Sequence, residues 1–156
     1  MSRVQLALRV ADLDASVDFY SRLFATAPTK RRPGYANFAV AEPPLKLVLL
    51  EGRPGEETRM DHLGVEVRTT REVADATRRL AGAGLDTRTE DQTTCCYAVQ
   101  DKVWVSGPGD EPWEVYTVTS DARPDLEGAT DPGLSDVTGD GTCCGPATEG
   151  GQGACC

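Results

Sequence analysis

A single histidine, His62, occurs in the chain, and Lys and Arg are outnumbered by Asp and Glu, 16 to 25. One chain therefore offers at most one imidazole to any site. A formal net charge of -9 argues against binding nucleic acid through its phosphates and against docking on anionic membranes. No run of about 18 apolar residues is present, so no membrane-spanning helix is expected. The opening MSRVQLALRV has no long apolar stretch after its arginine and does not read as a signal peptide. The expected compartment is the cytoplasm, where thiols stay reduced.

Spaced cysteines are also missing. All six fall in three adjacent pairs, Cys95-Cys96, Cys143-Cys144 and Cys155-Cys156. Bridging neighbours closes a small strained ring, so the pattern is not a disulfide framework. Adjacent thiols in a reducing compartment suit a soft metal or metalloid.

The first 119 residues contain a repeat. An offset of 57 lays VQLALRV (4–10) over DHLGVEV (61–67), and DASVDFYSRLFATA (14–27) over REVADATRRLAGAG (71–84). After gaps, EPPLKLVLLE (42–51) falls over EPWEVYTVTS (111–120), which sets Leu45 over Glu114. Each copy opens with a period-two strand: Val4, Leu6, Leu8 and Val10 form one face, Gln5, Ala7 and Arg9 the other. In the second copy Leu63, Val65 and Val67 oppose His62, Gly64 and Glu66. The apolar face is expected to pack on a helix and the polar face to line a wetter space.

Helices follow in both copies. Val17, Tyr20, Leu23 and Phe24 recur at helical spacing behind Asp12 or Asp14 as cap. Val73, Ala76, Leu80 and Ala83 do so behind a Thr69…Glu72 capping box and before Gly84. Strand patterns then complete β-α-β-β-β in each copy. The expected fold is α+β: tandem modules over residues 1–51 and 61–119, with a linker between them. Residues 120–156 carry seven acids against Arg123, hold eight of the 16 glycines and have few large aliphatics. They are expected to form a flexible acidic tail carrying four thiols.

Two such modules, with polar residues facing inward on their first and last strands, resemble the vicinal oxygen chelate superfamily of glyoxalases, bleomycin-resistance proteins and extradiol dioxygenases. The resemblance implies a divalent metal between two half-barrels. Its ligand positions would fall on Gln5 and Leu45 in the first module and on His62 and Glu114 in the second. With Leu45 unable to bind metal, the remaining set resembles a variant facial triad that leaves positions open for substrate and O₂ on Fe(II). The stretches TTCCYAVQDKVWVSGPGDEPWEVY (93–116), YANFAVAEPPLKLVLLEG (35–52) and HLGVEV (62–67) are similar to the organoarsenical carbon–arsenic lyases and their cadmium-induced relatives. That likeness implies Fe(II) on Gln5, His62 and Glu114, and an organoarsenical clamped by Cys95 and Cys96. It also implies O₂-dependent cleavage that releases arsenite, as detoxification.

Cys143, Cys144, Cys155 and Cys156 are accessory thiols that either hand arsenical inward or only sequester metal. Whether the modules pair within one chain or across a homodimer stays open, as does the choice between methyl and aromatic substrates. The alternatives are a non-enzymatic cadmium- or arsenic-binding protein, a glyoxalase-type lyase and a metal-free drug-binding protein.

Overall fold

The computed structural model describes residues 2–95 and 97–122. Cys96 and the four tail cysteines lie outside the described residues, as does all of the expected tail beyond Ala122.

The first module runs β1 (Arg3–Val10), α1 (Leu13–Leu23), β2 (Lys30–Arg32), β3 (Tyr35–Val40) and β4 (Leu45–Glu51). The second repeats it as β5 (Arg59–Glu66), α2 (Thr70–Gly82), β6 (Thr87–Cys95), β7 (Ala98–Ser106) and β8 (Pro112–Asp121). Ser120 and Asp121, placed in the tail by composition, therefore continue the last strand.

The helices form where the capping signals stand. Asp12 accepts from the backbone of Ala15 at 2.9 Å and opens α1. Thr69 accepts from Glu72 N at 3.2 Å and opens α2, while the Glu72 carboxylate returns to Arg68 N rather than to Thr69 N. Gly84 takes φ +78 just past α2, a conformation that favours glycine.

All eight strands join one sheet in the order β2-β3-β4-β1-β5-β8-β7-β6. Outward from the centre, both halves read first, fourth, third, second strand of a module. β1 pairs β4 and β5 pairs β8 in parallel, and β1 meets β5 antiparallel. The two modules thus pair within one chain. The sheet curls, because elements from its opposite edges meet: Lys30 on β2 bonds Tyr97 O and Asp121, and Tyr35 packs on Tyr97 with ring centroids 5.9 Å apart.

Both helices cover one face of the sheet. Val10, Leu13, Val17, Phe38, Leu47 and Leu49 form the core under α1, and Val73, Ala76, Leu80 and Val103 the core under α2. Removing a side chain such as Phe38 or Leu49 from water contributes roughly 1.5–3 kcal/mol. Leu23 is 58% exposed, and Leu13 takes the core place expected for it. Ala83 is exposed beyond the end of α2. The opposite, concave face collects the polar residues of the central strands.

Candidate metal centre

Gly64 is the floor of the site. On β5 it pairs Gln5 of β1 on one side and Glu114 of β8 on the other. A Cβ at position 64 would lie 3.2 Å from Gln5 Cβ, Gln5 Nε2 and Glu114 Cγ. Without one, the two flanking side chains meet over the strand: Gln5 Nε2 donates to Glu114 Oε1 at 2.7 Å. His62, two residues along the same face of β5, brings its Nε2 to 3.0 Å from Gln5 Nε2 and 3.4 Å from Glu114 Oε1. The three residues are 3%, 3% and 2% exposed for Gln5, His62 and Glu114. The fold therefore gathers the three expected ligands, from three strands and both modules.

The electrostatics tie them further. Burial pulls the His62 imidazole down, but hydrogen bonds to Asp61 and Glu114 outweigh it and hold its pKa up at about 9. Burial pushes the Glu114 carboxyl up, yet the His62 hydrogen bond and the Lys102 charge bring it to about 2. Lys102, itself 1% exposed, places Nζ 3.0 Å from Glu114 Oε2 as an ion pair. Trp104 meets the His62 ring edge to face, with centroids 5.5 Å apart.

Three supporting residues escaped the sequence reading. Asp61 Oδ2 lies 2.8 Å from His62 Nδ1, while its Oδ1 accepts from Arg9 Nη2 at 2.7 Å. In a regular strand, neighbours of an inward residue face outward. The register slips here, however: Ala7 opposes His62 and Leu8 opposes Met60, so Asp61 is an extra, bulged residue that turns back to the ring. Tyr116 is fully buried and donates to Gln5 Oε1 at 2.5 Å. Burial, then the charges of Glu66 and Glu114, push its phenol far above the ordinary value, so it remains a donor. Lys102 is the third. Period two gives the only sequence signal for these last two, since Tyr116 follows Glu114 by two and Lys102 lies between Gln100 and Trp104.

The register corrects the expected fourth position. Leu63 pairs Trp113 and Gly64 pairs Glu114 in the second module; in the first, Leu6 pairs Leu47 and Ala7 pairs Val48. The structural counterpart of Glu114 is therefore Val48, not Leu45. Val48 sits on the concave face with Ala7, Tyr35 and Leu50, whereas Leu45 packs against the α1 core. The gapped alignment had slipped by three residues, which also reverses the face. Either residue is apolar, so the set of donors stays at three.

Those donors fit a first-row divalent ion. Ligand atoms about 2.1 Å from a metal and at right angles to one another are spaced about 3 Å apart, and the separations here run from 2.7 to 3.4 Å. Among the described residues no three His, Cys, Asp or Glu side chains form a metal-binding group; the third polar group beside His62 and Glu114 is the Gln5 amide. To hold a metal, the Gln5 amide would turn to present its oxygen beside His62 and Glu114; Nε2 would then face Tyr116, whose phenol also lies 3.4 Å from Glu66 Oε2. Metal-binding imidazoles ordinarily have a carboxylate or carbonyl on the far ring nitrogen, the place Asp61 takes beside His62.

The thiol turn lies at the other end of β7. Cys95 is 3% exposed and pairs directly with Ala98, so the two side chains share a face. Ala98, Gln100, Lys102 and Trp104 alternate along β7 on that face, which places Cys95 on the concave side with Glu114.

The chain belongs to the Glyoxalase/Bleomycin resistance protein/Dioxygenase superfamily, which it matches over residues 3–115. Solved structures share the fold: an extradiol ring-cleaving dioxygenase from B. fuscum (TM-score 0.56, 20% identity, 78% of this chain and 34% of that one) and a Mn(II)-bound glyoxalase from Novosphingobium aromaticivorans (TM-score 0.55, 22% identity, 81% and 43%). Within the superfamily the chain is 60% identical to a trivalent organoarsenical cleaving enzyme of Thermomonospora curvata, over 99% of this chain and 95% of that protein. It is 54% identical to the cadmium-induced protein CadI of Mycobacterium tuberculosis, over 98% and 100%. No helix among the described residues is long and apolar enough to cross a membrane.

Proposed function

We propose that this chain cleaves the carbon–arsenic bond of trivalent organoarsenicals, methylarsenite and reduced aromatic arsenicals among them, in an Fe(II)- and O₂-dependent reaction that releases arsenite. The observation that carries this reading is the meeting of Gln5, His62 and Glu114 over Gly64 on the face that also bears Cys95. The 60% identity to an enzyme named for that activity supports the choice of substrate.

Cys95 and Cys96 hold the arsenic. Each arsenic–sulfur bond replaces an arsenic hydroxyl with loss of water and leaves the organic group in place. Gln5, His62 and Glu114 hold the metal, and Fe(II) supplies dioxygen activation when bound there. Asp61 fixes the imidazole with Nε2 facing inward. Lys102 keeps the Glu114 carboxyl ionised, and Tyr116 orients the Gln5 amide. For methylarsenite the atoms close as one O₂ consumed, with arsenious acid and formaldehyde formed. Arsenic stays trivalent, and the methyl carbon gives up the four electrons that O₂ takes.

The test compares thiol variants. Cys95→Ser or Cys96→Ser puts a hard, protonated hydroxyl in place of a soft ligand, so arsenite release and oxygen consumption should collapse while metal still binds. Changing Cys143, Cys144, Cys155 and Cys156 together should cost far less. Oxygen-independent arsenical binding that scales with the number of pairs, without product from any variant, would instead mark a non-enzymatic binder.

A further inference from the structure

β7 connects the thiol turn to the metal centre, and Gln100 stands halfway. Ala98 lies opposite Cys95, Lys102 lies beside Glu114, and Gln100 is the residue between them on the same face. The Gln100 side chain is nearly fully buried, at 6% exposure. Its amide faces Cys95 O at 3.5 Å. A carbonyl only accepts hydrogen bonds, so the amide NH₂ must take that side. The amide oxygen is then left without a hydrogen-bond partner among the described residues.

Gln100 lines a cavity of about 310 Å³ together with Asn37, Lys46 and Glu66. That volume is at the lower end of the range for small-molecule pockets, about 300–1,000 Å³. A methyl group fills little of it. Glu66 in the cavity wall contacts Tyr116, which bonds Gln5, so the cavity adjoins the metal centre.

We infer that Gln100 selects the organic group of the substrate: its amide oxygen accepts a hydrogen bond from a donor on that group, favouring aryl arsenicals with a ring hydroxyl or amino substituent. This rests on the arsenical reading above and extends it to a specificity-determining residue. The chemistry of the clamp decides where the donor comes from. Once two thiols have replaced its hydroxyls, a trivalent arsenical has no arsenic-bound O–H left. Only the organic group can then present a donor to Gln100. A buried acceptor with no partner rewards a ligand that supplies one and penalises a ligand that does not.

The experiment is equilibrium binding to full-length, Fe(II)-loaded protein without oxygen. The ligands are 4-hydroxyphenyl-, 4-aminophenyl-, phenyl- and methylarsenite, with arsenite as the fifth. In Gln100→Leu the two donor-bearing ligands should bind about tenfold more weakly, and the phenyl and methyl compounds should stay within about twofold. Gln100→Glu keeps an acceptor and should retain the preference. Equal losses for all five ligands, or none, would overturn the assignment. So would a loss confined to arsenite, which keeps one hydroxyl on two thiols and would make Gln100 a contact for product. Admitting O₂ to the wild-type complexes afterwards reads cleavage separately, so a protein that binds selectively without cleaving contradicts the proposed reaction and leaves the role of Gln100 standing.

Discussion

Asp61 Oδ2 lies 2.8 Å from His62 Nδ1, and Arg9 holds the other oxygen of the same carboxylate. A strand bulge makes this contact, and it fixes which imidazole nitrogen faces Gln5 and Glu114. Asp61→Asn keeps the shape and removes the charge. It should weaken metal binding about 10- to 100-fold with little change in the far-ultraviolet circular dichroism spectrum. Chelator competition measures the affinity; an unchanged value would show that the ring needs no such partner.

Glu114→Ala and His62→Ala should both lose metal, and Gln5→Ala should lose less, since an amide is a weak donor. Gln5→His should tighten binding. The stability outcomes differ from the metal outcomes, because Glu114→Ala removes the carboxylate that faces the buried Lys102 ammonium and should cost about 3–5 kcal/mol. Adding Lys102→Met should restore most of that stability without restoring metal. Urea denaturation of the single and double variants checks it; equal stability of the two would mean the ion pair is not the cause.

Gly64→Ala places a methyl group 3.2 Å from atoms of both Gln5 and Glu114. The two side chains must move apart by a few tenths of an ångström, so metal affinity should fall roughly tenfold, about 1.4 kcal/mol. Wild-type affinity in this variant would mean the floor of the site is more yielding than its contacts imply.

Much of this was legible in the sequence, for identifiable reasons. Period two set Gln5 and His62 on the polar faces of their strands, the 57-residue offset related them before any strand pairing was known, and the family resemblance supplied Glu114. The fourth position was not legible. Fixing it requires strand register across a gap, and a three-residue slip replaced inward Val48 with outward Leu45. Asp61 was hidden for a similar reason, because alternation sends the neighbour of His62 to the other face unless a bulge intervenes. Lys102 and Gln100 share an inward alternation with Trp104, but pattern alone cannot separate a buried lysine from a solvated one.

The corrected register makes its own prediction. Val48→Glu should add a carboxylate on the concave face and raise affinity for divalent metal while suppressing turnover, because an open position is lost. Leu45→Glu should only destabilise the core under α1. Metal titration with thermal melting separates the two, and the opposite pattern would restore the original alignment.

Asp101 carries a pH dependence away from the metal. Burial raises its carboxyl, but hydrogen bonds from the Thr70 hydroxyl and from the backbone and side chain of Gln92 outweigh this and hold it below its ordinary 3.8. A depressed pKa contributes stability that is present above 3.8 and lost as pH falls through the lower folded value. Asp101→Asn should cost about 2 kcal/mol at neutral pH, and its deficit against wild type should shrink below pH 4. Melting temperatures from pH 3 to 7 test this, and a deficit constant with pH would remove the carboxylate as its source.

The reaction itself is tested most directly by arsenic speciation. Full-length protein loaded with Fe(II) is mixed with methylarsenite in air and, in parallel, under strict exclusion of oxygen. The predicted result is stoichiometric conversion to arsenite in air, with one O₂ consumed per arsenite formed, and intact methylarsenite without oxygen. Methylarsenite recovered unchanged in air, or arsenite formed equally without oxygen, would contradict it.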